Sequence, residues 1–295
     1  MTDAFQIDKS RVRRSFERAA ANYDRAAVLQ RAVADRMAER LQYIKHQPTT
    51  ILDAGCGTGY ARPLLQGRYA DARQISLDLA IGMLRIARGV RPWWQKVLPA
   101  KSPADAYICG DLEALPLQAG SVDLLWSSLA LQWCNDLDAT FSGMRRVLAP
   151  NGLLMFSTFG PDTLRELRQA FSLIDGYSHV SRFQDMHDIG DALMRAGFVE
   201  PVMDMEHFTL TYDTASGLMR DLKALGAHNA TQGRRQGLAG KSAWKRMEAE
   251  YEKLRKDGKL PATYEVIYGH AWAPNQLPDG RQVIQMPPPR QRGRL

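Results

Sequence analysis

The sequence has few cysteines and no metal-binding motif. Its three cysteines, Cys56, Cys109 and Cys134, lie far apart and form no C-x-x-C, and its six histidines show neither H-E-x-x-H nor H-x-x-E-H spacing. We therefore expect neither a disulfide scaffold nor a metal site. No apolar run reaches the ~18 residues of a membrane helix, and residues 1–14 lack the apolar core of a signal peptide. These absences predict a cytoplasmic protein without a membrane partner.

Length and composition are typical of a globular protein. The chain has 295 residues, of which 45% are hydrophobic and 24% charged. Extended disorder, collagen-like repeats and coiled coil are therefore not expected as its main organisation. We predict one elaborated domain over residues 1–274. Residues 275–295 are rich in Pro, Arg and Gly without apolar periodicity, and we predict that this tail is disordered.

Positive charge is concentrated near the two ends of the chain. The formal net charge is +7, and residues 9–40 carry nine basic against four acidic side chains, while residues 215–295 carry fifteen against seven. Such segments suit an acidic partner, although solvated helix faces have the same composition. Aromatic and basic residues do not interleave as on single-strand binding platforms, so we predict no nucleic-acid partner.

From residue 49, short apolar runs alternate with helical stretches. Apolar positions at helical spacing over residues 10–44 come before them and predict one or two amphipathic helices. Five strands are predicted, near 51–52, 74–77, 106–108, 122–126 and 152–156. Helices between them are predicted near 60–68, 80–90 and 137–148. This alternation favours a doubly wound α/β fold, in which helices cover both faces of a parallel sheet.

In the second half of the chain, the sequence pattern indicates inserted helices and a late strand. Pro150-Asn151-Gly152 predicts a turn before the fifth strand. Residues 161–195 predict helices and loops, residues 199–212 are strand-like, and residues 215–258 again show helical spacing. We interpret 161–258 as a region that contains a helical cap and late strands.

The strongest motif joins the first predicted strand to a helix. Ile51-Leu52-Asp53-Ala54-Gly55-Cys56-Gly57-Thr58-Gly59 places three glycines at alternate positions. Glycine lets a ligand approach the backbone closely and reaches the positive φ of a tight turn without strain. The spacing is G-x-G-x-G, whereas dinucleotide-binding loops have G-x-G-x-x-G. A nicotinamide oxidoreductase is therefore disfavoured.

Three carboxylates lie at successive strand ends of the predicted sheet. Asp53 precedes the glycines, where it would repel a pyrophosphate but attract a cationic ligand. Asp78 ends the second predicted strand, where it can accept hydrogen bonds from two ribose hydroxyls. Asp111 follows the third predicted strand and suits an adenine amino group. The set predicts a ligand such as S-adenosylmethionine, which carries a sulfonium and an amino group.

These residues resemble those of class I S-adenosylmethionine-dependent methyltransferases over residues 45–160. The resemblance implies that Asp53 to Gly59 form the first motif, that Asp78 binds the ribose and that Asp111-Leu112 contact the adenine, and it adds Leu79 and Ser127 to the predicted cofactor site. It also implies a Rossmann-like, mostly parallel sheet of seven strands with a late antiparallel hairpin. The cofactor-binding core is placed at residues 49–160.

A narrower resemblance extends over nearly the whole chain. Four motifs are similar to those of the malonyl-acyl-carrier-protein O-methyltransferases of biotin synthesis, namely Phe16-x-x-Ala19-Ala20-x-x-Tyr23, Leu29-Gln30, Leu129-Ala130-Leu131-Gln132-Trp133-Cys134 and Met219-Arg220-x-Leu222-Lys223-x-x-Gly226-Ala227. The resemblance implies methylation of a malonyl thioester on an acyl carrier protein.

A second family keeps a protein-modifying function open as an alternative. Arginine-modifying assembly factors of respiratory complex I share the pattern Gly160-x-Asp162-Thr163-Leu164-x-Glu166-Leu167 and the ending Pro261-Ala262-Thr263-Tyr264. The Leu-Gln-Trp-Cys and Leu-Lys-x-x-Gly-Ala stretches favour the malonyl-specific family.

Binding and orientation are the tasks predicted for the catalytic residues. A malonyl carboxylate is ionised at pH 7, because an unperturbed carboxyl group titrates near pH 4, so no general base is required. By resemblance, the N-terminal helix pattern that contains Tyr23 closes over the methyl donor. The Tyr23 hydroxyl could bond the carboxylate of either ligand, and a core tyrosine is the alternative. Arg220 and Lys223 are predicted to steer the anion from the cap, with Arg165 as a third candidate. Each of the three has the alternative of being a solvated helix cation.

Further polar residues receive weaker interpretations. Gln132 and Trp133 follow the fourth predicted strand, where they could line an acceptor pocket. His228 and His270 have no neighbouring carboxylate or metal spacing in the sequence, so we interpret them as surface or hydrogen-bonded histidines. Cys56 and Cys134 are interpreted as packing residues.

Overall fold

Seven strands form one mixed sheet in the computed structural model, which describes residues 5–89, 105–227, 229–233 and 240–275. The strands are β1 (Thr50–Ala54), β2 (Arg73–Asp78), β3 (Ala106–Cys109), β4 (Val122–Ser128), β5 (Leu148–Phe159), β6 (Val199–Tyr212) and β7 (Leu260–Trp272). Their spatial order is β3-β2-β1-β4-β5-β7-β6. Strands β1 to β5 pair in parallel, and β7 is antiparallel to both of its neighbours. The expected seven-stranded, mostly parallel sheet is confirmed.

Ten α-helices accompany the sheet in the described part of the chain. They are α1 (Lys9–Ala19), α2 (Tyr23–Ala26), α3 (Val28–Arg40), α4 (Ala61–Arg68), α5 (Ile81–Arg88), α6 (Leu137–Val147), α7 (Arg165–Ser172), α8 (Met186–Arg195), α9 (Ala215–Ala224) and α10 (Lys241–Glu252). None of the helices that the structure describes is both long and apolar enough to span a membrane.

The core consists of two layers, one on each face of the sheet. Alternate residues of β4 show the division, since Leu124 and Trp126 pack with α3, α4, α7, α9 and α10, whereas Leu125 packs with α6 and α8. Trp126 is fully buried. Burial on both faces is the reason that the parallel strands read as continuous apolar runs.

Most predicted elements occur within a few residues of their expected positions, but two details differ. The expected turn at residues 150–152 lies inside β5 as an irregularity, where the register changes from Val122 opposite Leu148 to Leu124 opposite Leu153. Asn151 has a φ of 59° there. The seventh strand, β7, lies in a segment to which the sequence pattern assigned no strand. The predicted disorder of 275–295 concerns, apart from Asn275, residues outside the described part.

Two motifs that are distant in sequence bind each other at the end of β5. The N–H of Asp162 donates to a carboxylate oxygen of Glu265 at 2.7 Å, and the N–H of Thr263 donates to Glu166 at 3.0 Å. The Thr163 hydroxyl donates to the Glu265 carbonyl and accepts from the Glu265 N–H, each at 3.1 Å. All these side chains except Asp162 are buried. This cluster, which we call the β5–β7 latch, fixes the antiparallel strand against the segment after β5.

Removal of one donor from the latch should destabilise the fold. In Thr263→Val, Glu166 loses the hydroxyl that donates to it in a buried site, at a cost of about 1–3 kcal/mol in the free energy of unfolding. Urea unfolding of wild type and variant measures this. The control is Thr209→Val, an exposed threonine directly opposite Thr263 on β6. Equal stabilities for the two variants would contradict the role of the latch.

Candidate active site

The glycine loop begins at the carboxyl end of β1. Gly55, Gly57 and Gly59 have φ values of 84°, 55° and 87°, which other residues rarely adopt. At Gly55 a Cβ atom would lie only 2.4 Å from the Cβ of Ala130, whereas at Gly57 it would meet no atom within 4 Å. Gly55 therefore allows close packing against the segment after β4, and Gly57 leaves an open space in front of the loop.

That space is a cavity, which we call the cofactor cavity. Residues from the ends of β1 to β4 and from the α1–α2 region line it. It contains seven of the ten residues predicted to bind the cofactor, namely Tyr23, Gly55, Gly57, Asp78, Leu79, Asp111 and Leu112. The parallel strands bring all of these except Tyr23, which lies on α2, together because the carboxyl ends of the strands share one edge of the sheet.

The other three predicted residues do not line the cofactor cavity. Asp53 lies within β1 and is 3% exposed. Gly59 turns into α4, close to Ala87. Ser127 is fully buried and its hydroxyl donates to the carbonyl of Ala54 at 2.9 Å, while Ser128 lines the cavity. A direct role for these three residues in cofactor binding stays a prediction.

Asp78 connects the loop to the neighbouring strand. Its two carboxylate oxygens accept the N–H groups of Gly57 at 2.9 Å and Ala80 at 2.8 Å. Each oxygen keeps a lone pair for a further donor, such as a ribose hydroxyl. Burial raises the pKa of Asp78 to about 6, although the two backbone N–H bonds oppose this rise.

Asp53 adds a second carboxylate behind the loop, and this one is buried. Its Oδ2 has no hydrogen-bond partner among the described residues. Burial, and then the negative charge of Asp78, raise the pKa of Asp53 to about 7. A cationic ligand in front of these two carboxylates would relieve their repulsion. The cavity therefore fits a ligand that carries both ribose hydroxyls and positive charge, as S-adenosylmethionine does.

Asp111 already has a cationic partner in this structure. Its Oδ1 accepts from Lys9 Nζ at 2.9 Å and from the N–H of Glu113 at 3.0 Å, and Lys9 also pairs with Glu113 at 2.6 Å. The sequence interpretation did not include Lys9. These contacts join the start of α1 to the loop after β3, so α1 covers one side of the cofactor cavity.

Aromatic residues separate the cofactor cavity from a second cavity. Phe16 makes edge contacts with Tyr23 at 6.4 Å and with Trp133 at 5.4 Å between ring centroids. Burial, and then the charge of Asp78, raise the pKa of Tyr23, which stays protonated. Its hydroxyl makes no hydrogen bond to the residues that the structure describes, so it is available to a ligand.

The second cavity, which we call the acceptor cavity, has a volume of about 600 Å³ and shares Trp133 with the cofactor cavity. Gln132 also lines it, and its amide is fixed by donation to the Leu129 carbonyl at 2.6 Å. From α9, the apolar residues Met219 and Leu222 face the cavity. Gln132 and Trp133, the two residues that were expected at an acceptor pocket, both line this cavity, and their contact with an acceptor stays a prediction.

The predicted anion-steering residues lie elsewhere. Arg220 and Lys223 are exposed, neither lines the acceptor cavity, and Arg220 Nε donates to the Ser216 carbonyl at 3.3 Å. The apolar face of α9 turns inward, so its charged face is directed to solvent. Arg165 is exposed and pairs with Asp162 at 3.1 Å. Their predicted roles find no support in the geometry of the cavity.

Three arginines among the described residues that line the acceptor cavity come from α1. They are Arg11, Arg14 and Arg18, which sequence analysis did not select. Their spacing of three and four residues could have indicated one helix face. The fold was needed to show that this face borders a cavity.

Among the remaining candidates, those that the structure describes offer no acid–base group at the junction of the two cavities. His270 lies on β7 and lines neither cavity, and burial lowers its pKa. His228 falls outside the described residues. Burial raises the pKa of Cys56, and it raises that of Cys134, which lines the cofactor cavity, to about 12. Both thiols are therefore protonated at neutral pH.

Comparison with known proteins adds to this geometry. Residues 52–156 match the family model described as a methyltransferase domain. A malonyl-[acyl-carrier protein] O-methyltransferase of Laribacter hongkongensis (strain HLHK9) is 59% identical over 293 residues, which are 98% of this chain and 99% of that protein. A protein of the same name from Methylovorus sp. (strain MP688) is 56% identical over 289 residues, 97% of each chain.

Solved structures with low sequence identity share the fold. A solved structure from Bacillus halodurans, named a putative methyltransferase, has a TM-score of 0.54 at 16% identity and covers 81% of this chain and 99% of its own. A methyltransferase from Thermotoga maritima, described as S-adenosylmethionine-dependent and a possible histamine N-methyltransferase, has a TM-score of 0.51 at 15% identity, over 89% and 99%. These likenesses show the fold alone.

Substitution of the buried carboxylate Asp53 should separate stability from cofactor binding. Because its pKa is higher in the folded than in the unfolded chain, the folded protein binds the extra proton, and the carboxylate lowers stability as pH rises towards 7. Asp53→Asn should therefore raise the melting temperature of the ligand-free protein, on the order of 5 °C at pH 8 and less at pH 5. It should weaken S-adenosylmethionine binding about tenfold or more, because the cation loses a buried carboxylate.

Differential scanning fluorimetry and calorimetric titration measure the two effects. Asp71→Asn, which removes an exposed carboxylate, is the control and should change neither quantity. A lower melting temperature together with unchanged affinity would show that Asp53 has only a structural role.

Proposed function

The chain belongs to the malonyl-[acyl-carrier protein] O-methyltransferase family, and on that premise we propose that it methylates the free carboxylate of malonyl-acyl-carrier protein. The observation that best supports this proposal is the 59% identity to one such protein over 98% of this chain. Two adjoining cavities support the proposal, because a methyl donor and an acceptor must meet, and the cavities share Trp133.

Membership of a methyltransferase family implies the use of S-adenosylmethionine. When bound, this donor supplies an electrophilic methyl group and leaves as S-adenosylhomocysteine. We assign Asp78 to the ribose hydroxyls, and Asp53 to electrostatic support of the positive charge from behind the loop. Asp111 and Leu112 lie where the loop after β3 borders the cofactor cavity, and we assign them to the adenine.

The acceptor requires positioning more than proton transfer. A malonate carboxylate is ionised at neutral pH and attacks without a base. Correct placement of reacting groups can supply roughly 7–11 kcal/mol of barrier reduction. We propose that Tyr23 and Trp133 hold the carboxylate at the junction, since the Tyr23 hydroxyl makes no hydrogen bond to the described residues and Trp133 borders both cavities.

We propose that the aromatic junction also limits the access of water to the reacting groups. Phe16, Tyr23 and Trp133 present ring surfaces where the two cavities meet. The attacking carboxylate and the sulfonium are charged before methyl transfer, and both products are neutral there. An apolar boundary solvates the charged reactants poorly, so it favours the transfer. The same boundary would slow hydrolysis and other side reactions.

The protein-modifying alternative is not favoured. The named relatives that are 56–59% identical over nearly the whole chain are malonyl-[acyl-carrier protein] O-methyltransferases. In addition, the two motifs shared with the assembly factors form the β5–β7 latch, which stabilises the sheet edge. A motif with a structural role of this kind cannot discriminate between substrates.

The expected product places the reaction before a carbon-chain extension. Methylation converts a charged malonyl end into a neutral ester, so the acyl chain then resembles an ordinary fatty-acyl group. Within the biotin pathway, such an ester would begin pimeloyl synthesis. The carrier protein itself is the proposed partner, and its acidic surface suits the basic N-terminal helices.

Mass spectrometry of the carrier protein tests the proposed reaction. The purified enzyme, S-adenosylmethionine and malonyl-acyl-carrier protein should give a mass increase of one CH₂ unit, because the carboxylate gains a methyl group and loses its charge. Acetyl-acyl-carrier protein lacks the free carboxylate and should remain unchanged. Malonyl-CoA tests the need for the carrier. Absence of the methyl ester, with S-adenosylhomocysteine still bound by the protein, would contradict this acceptor and leave the methyltransferase fold in place.

A further inference from the structure

Helix α1 borders both cavities with different faces. Lys9, Val12 and Phe16 face the cofactor cavity, whereas Arg11, Arg14 and Arg18 line the acceptor cavity. A helix has 100° of rotation per residue, so Arg14 and Arg18 each lie roughly 160° around the axis from Phe16. The arginine face is therefore directed away from the site of methyl transfer.

The charge of the acceptor cavity is of one sign in the part of the chain that the structure describes. None of the described residues that line it is an Asp or a Glu. The Arg14 guanidinium donates one weak hydrogen bond, to the Ser10 hydroxyl at 3.4 Å. The hydrogen bond that Ser10 donates to Asp8 lowers the pKa of Asp8, and the positive charge of Arg14 lowers it further. Arg18 has neither an ion pair nor a side-chain hydrogen bond to a described residue. Two guanidinium groups one turn apart thus line this cavity, and neither forms an ion pair with a carboxylate of the described residues.

The position of these cations determines which anion they can reach. Arg14 and Arg18 are exposed, so they lie at the solvent end of the cavity, while Trp133 lies at the junction with the cofactor cavity. The carboxylate to be methylated belongs at that junction. An anion at the opposite end must belong to a more distant part of the same substrate.

We propose that Arg14 and Arg18 bind the phosphodiester of the prosthetic arm that carries the malonyl group. This inference rests on the proposed function, because it requires a substrate whose thioester is attached to such an arm. Guanidinium groups match phosphate oxygens in charge and in bidentate geometry. Apolar residues such as Val180, Met219 and Leu222 line the cavity and offer a surface for the uncharged middle of the arm.

A competition experiment tests the proposal. Methyl transfer to malonyl-acyl-carrier protein is measured with increasing 4′-phosphopantetheine or pantetheine, which differ only in the phosphate. For the wild type, the inhibition constant of 4′-phosphopantetheine should be about tenfold lower than that of pantetheine, which is the effect of one charge-assisted interaction. Arg14→Ala/Arg18→Ala should bring the two inhibition constants close together, because the phosphate loses its partners.

Arg13→Ala is the matched control. Arg13 lies on the same helix, is exposed and does not line the acceptor cavity, so this variant should keep the tenfold preference. Arg14→Gln/Arg18→Gln provides a second test if the alanine variant unfolds. Equal inhibition of wild type by the two compounds, or an unchanged preference in the double variants, would overturn the proposal.

Two further outcomes identify a different ligand for the arginines. Weaker inhibition of the double variant by both compounds to the same extent would assign the arginines to the body of the arm. A higher KM for malonyl-acyl-carrier protein with an unchanged phosphate preference would assign them to the carrier surface. Either result overturns the proposal.

Failure of the proposed function itself can be recognised separately. If wild type does not methylate malonyl-acyl-carrier protein, calorimetric titration of 4′-phosphopantetheine and pantetheine into the S-adenosylhomocysteine-bound protein measures the same preference without activity. A phosphate preference that depends on Arg14 and Arg18 would then support the phosphate site alone, and no preference would overturn it.

Discussion

The candidate site depends on one carboxylate, that of Asp78, which ties together two strand ends. It accepts the N–H of Gly57 from the loop after β1 and that of Ala80 at the start of α5. These bonds fix the glycine loop in the positive-φ conformation that opens the cofactor cavity. The half-buried carboxylate of Asp78 lies near the buried Asp53, and its negative charge adds to burial in raising the pKa of Asp53. The protein therefore carries an electrostatic strain that a cationic ligand is well suited to remove.

Helix α1 links this strained cavity to the acceptor side. Lys9 pairs with Asp111 and Glu113 at one end, and the backbone of Ser15 lies close to Gly226 after α9. A Cβ at Gly226 would be 3.1 Å from the Ser15 carbonyl oxygen, so glycine allows the cap to pack directly on the helix. Because one helix forms walls of both cavities, its position beside the cofactor cavity also shapes the acceptor cavity.

The sequence predicted the sheet and most of the cofactor cavity because both follow from local signals. Glycine spacing and acidic residues at strand ends identify positions such as Gly57 and Asp78 without knowledge of packing. β7 was not recognised, since its residues are buried on both faces and lack the alternation of a half-exposed strand. Arg220 and Lys223 were chosen by motif alone. Which face of α9 is buried depends on contacts across the molecule, and so does the placement of Arg14 and Arg18.

The separation of the two cavities has a consequence for catalysis. The proposed phosphate contacts at Arg14 and Arg18 are the same before and after methyl transfer, so they stabilise ground state and transition state equally. Such uniform binding lowers KM without raising kcat. Rate acceleration must then arise at the junction of Tyr23 and Trp133, where the carboxylate charge disappears. The ester that forms there no longer attracts a cation or a hydrogen-bond donor as strongly as the carboxylate did. In the proposed reaction, discrimination between substrate and product would therefore belong to the aromatic junction, and capture of the prosthetic arm would belong to α1.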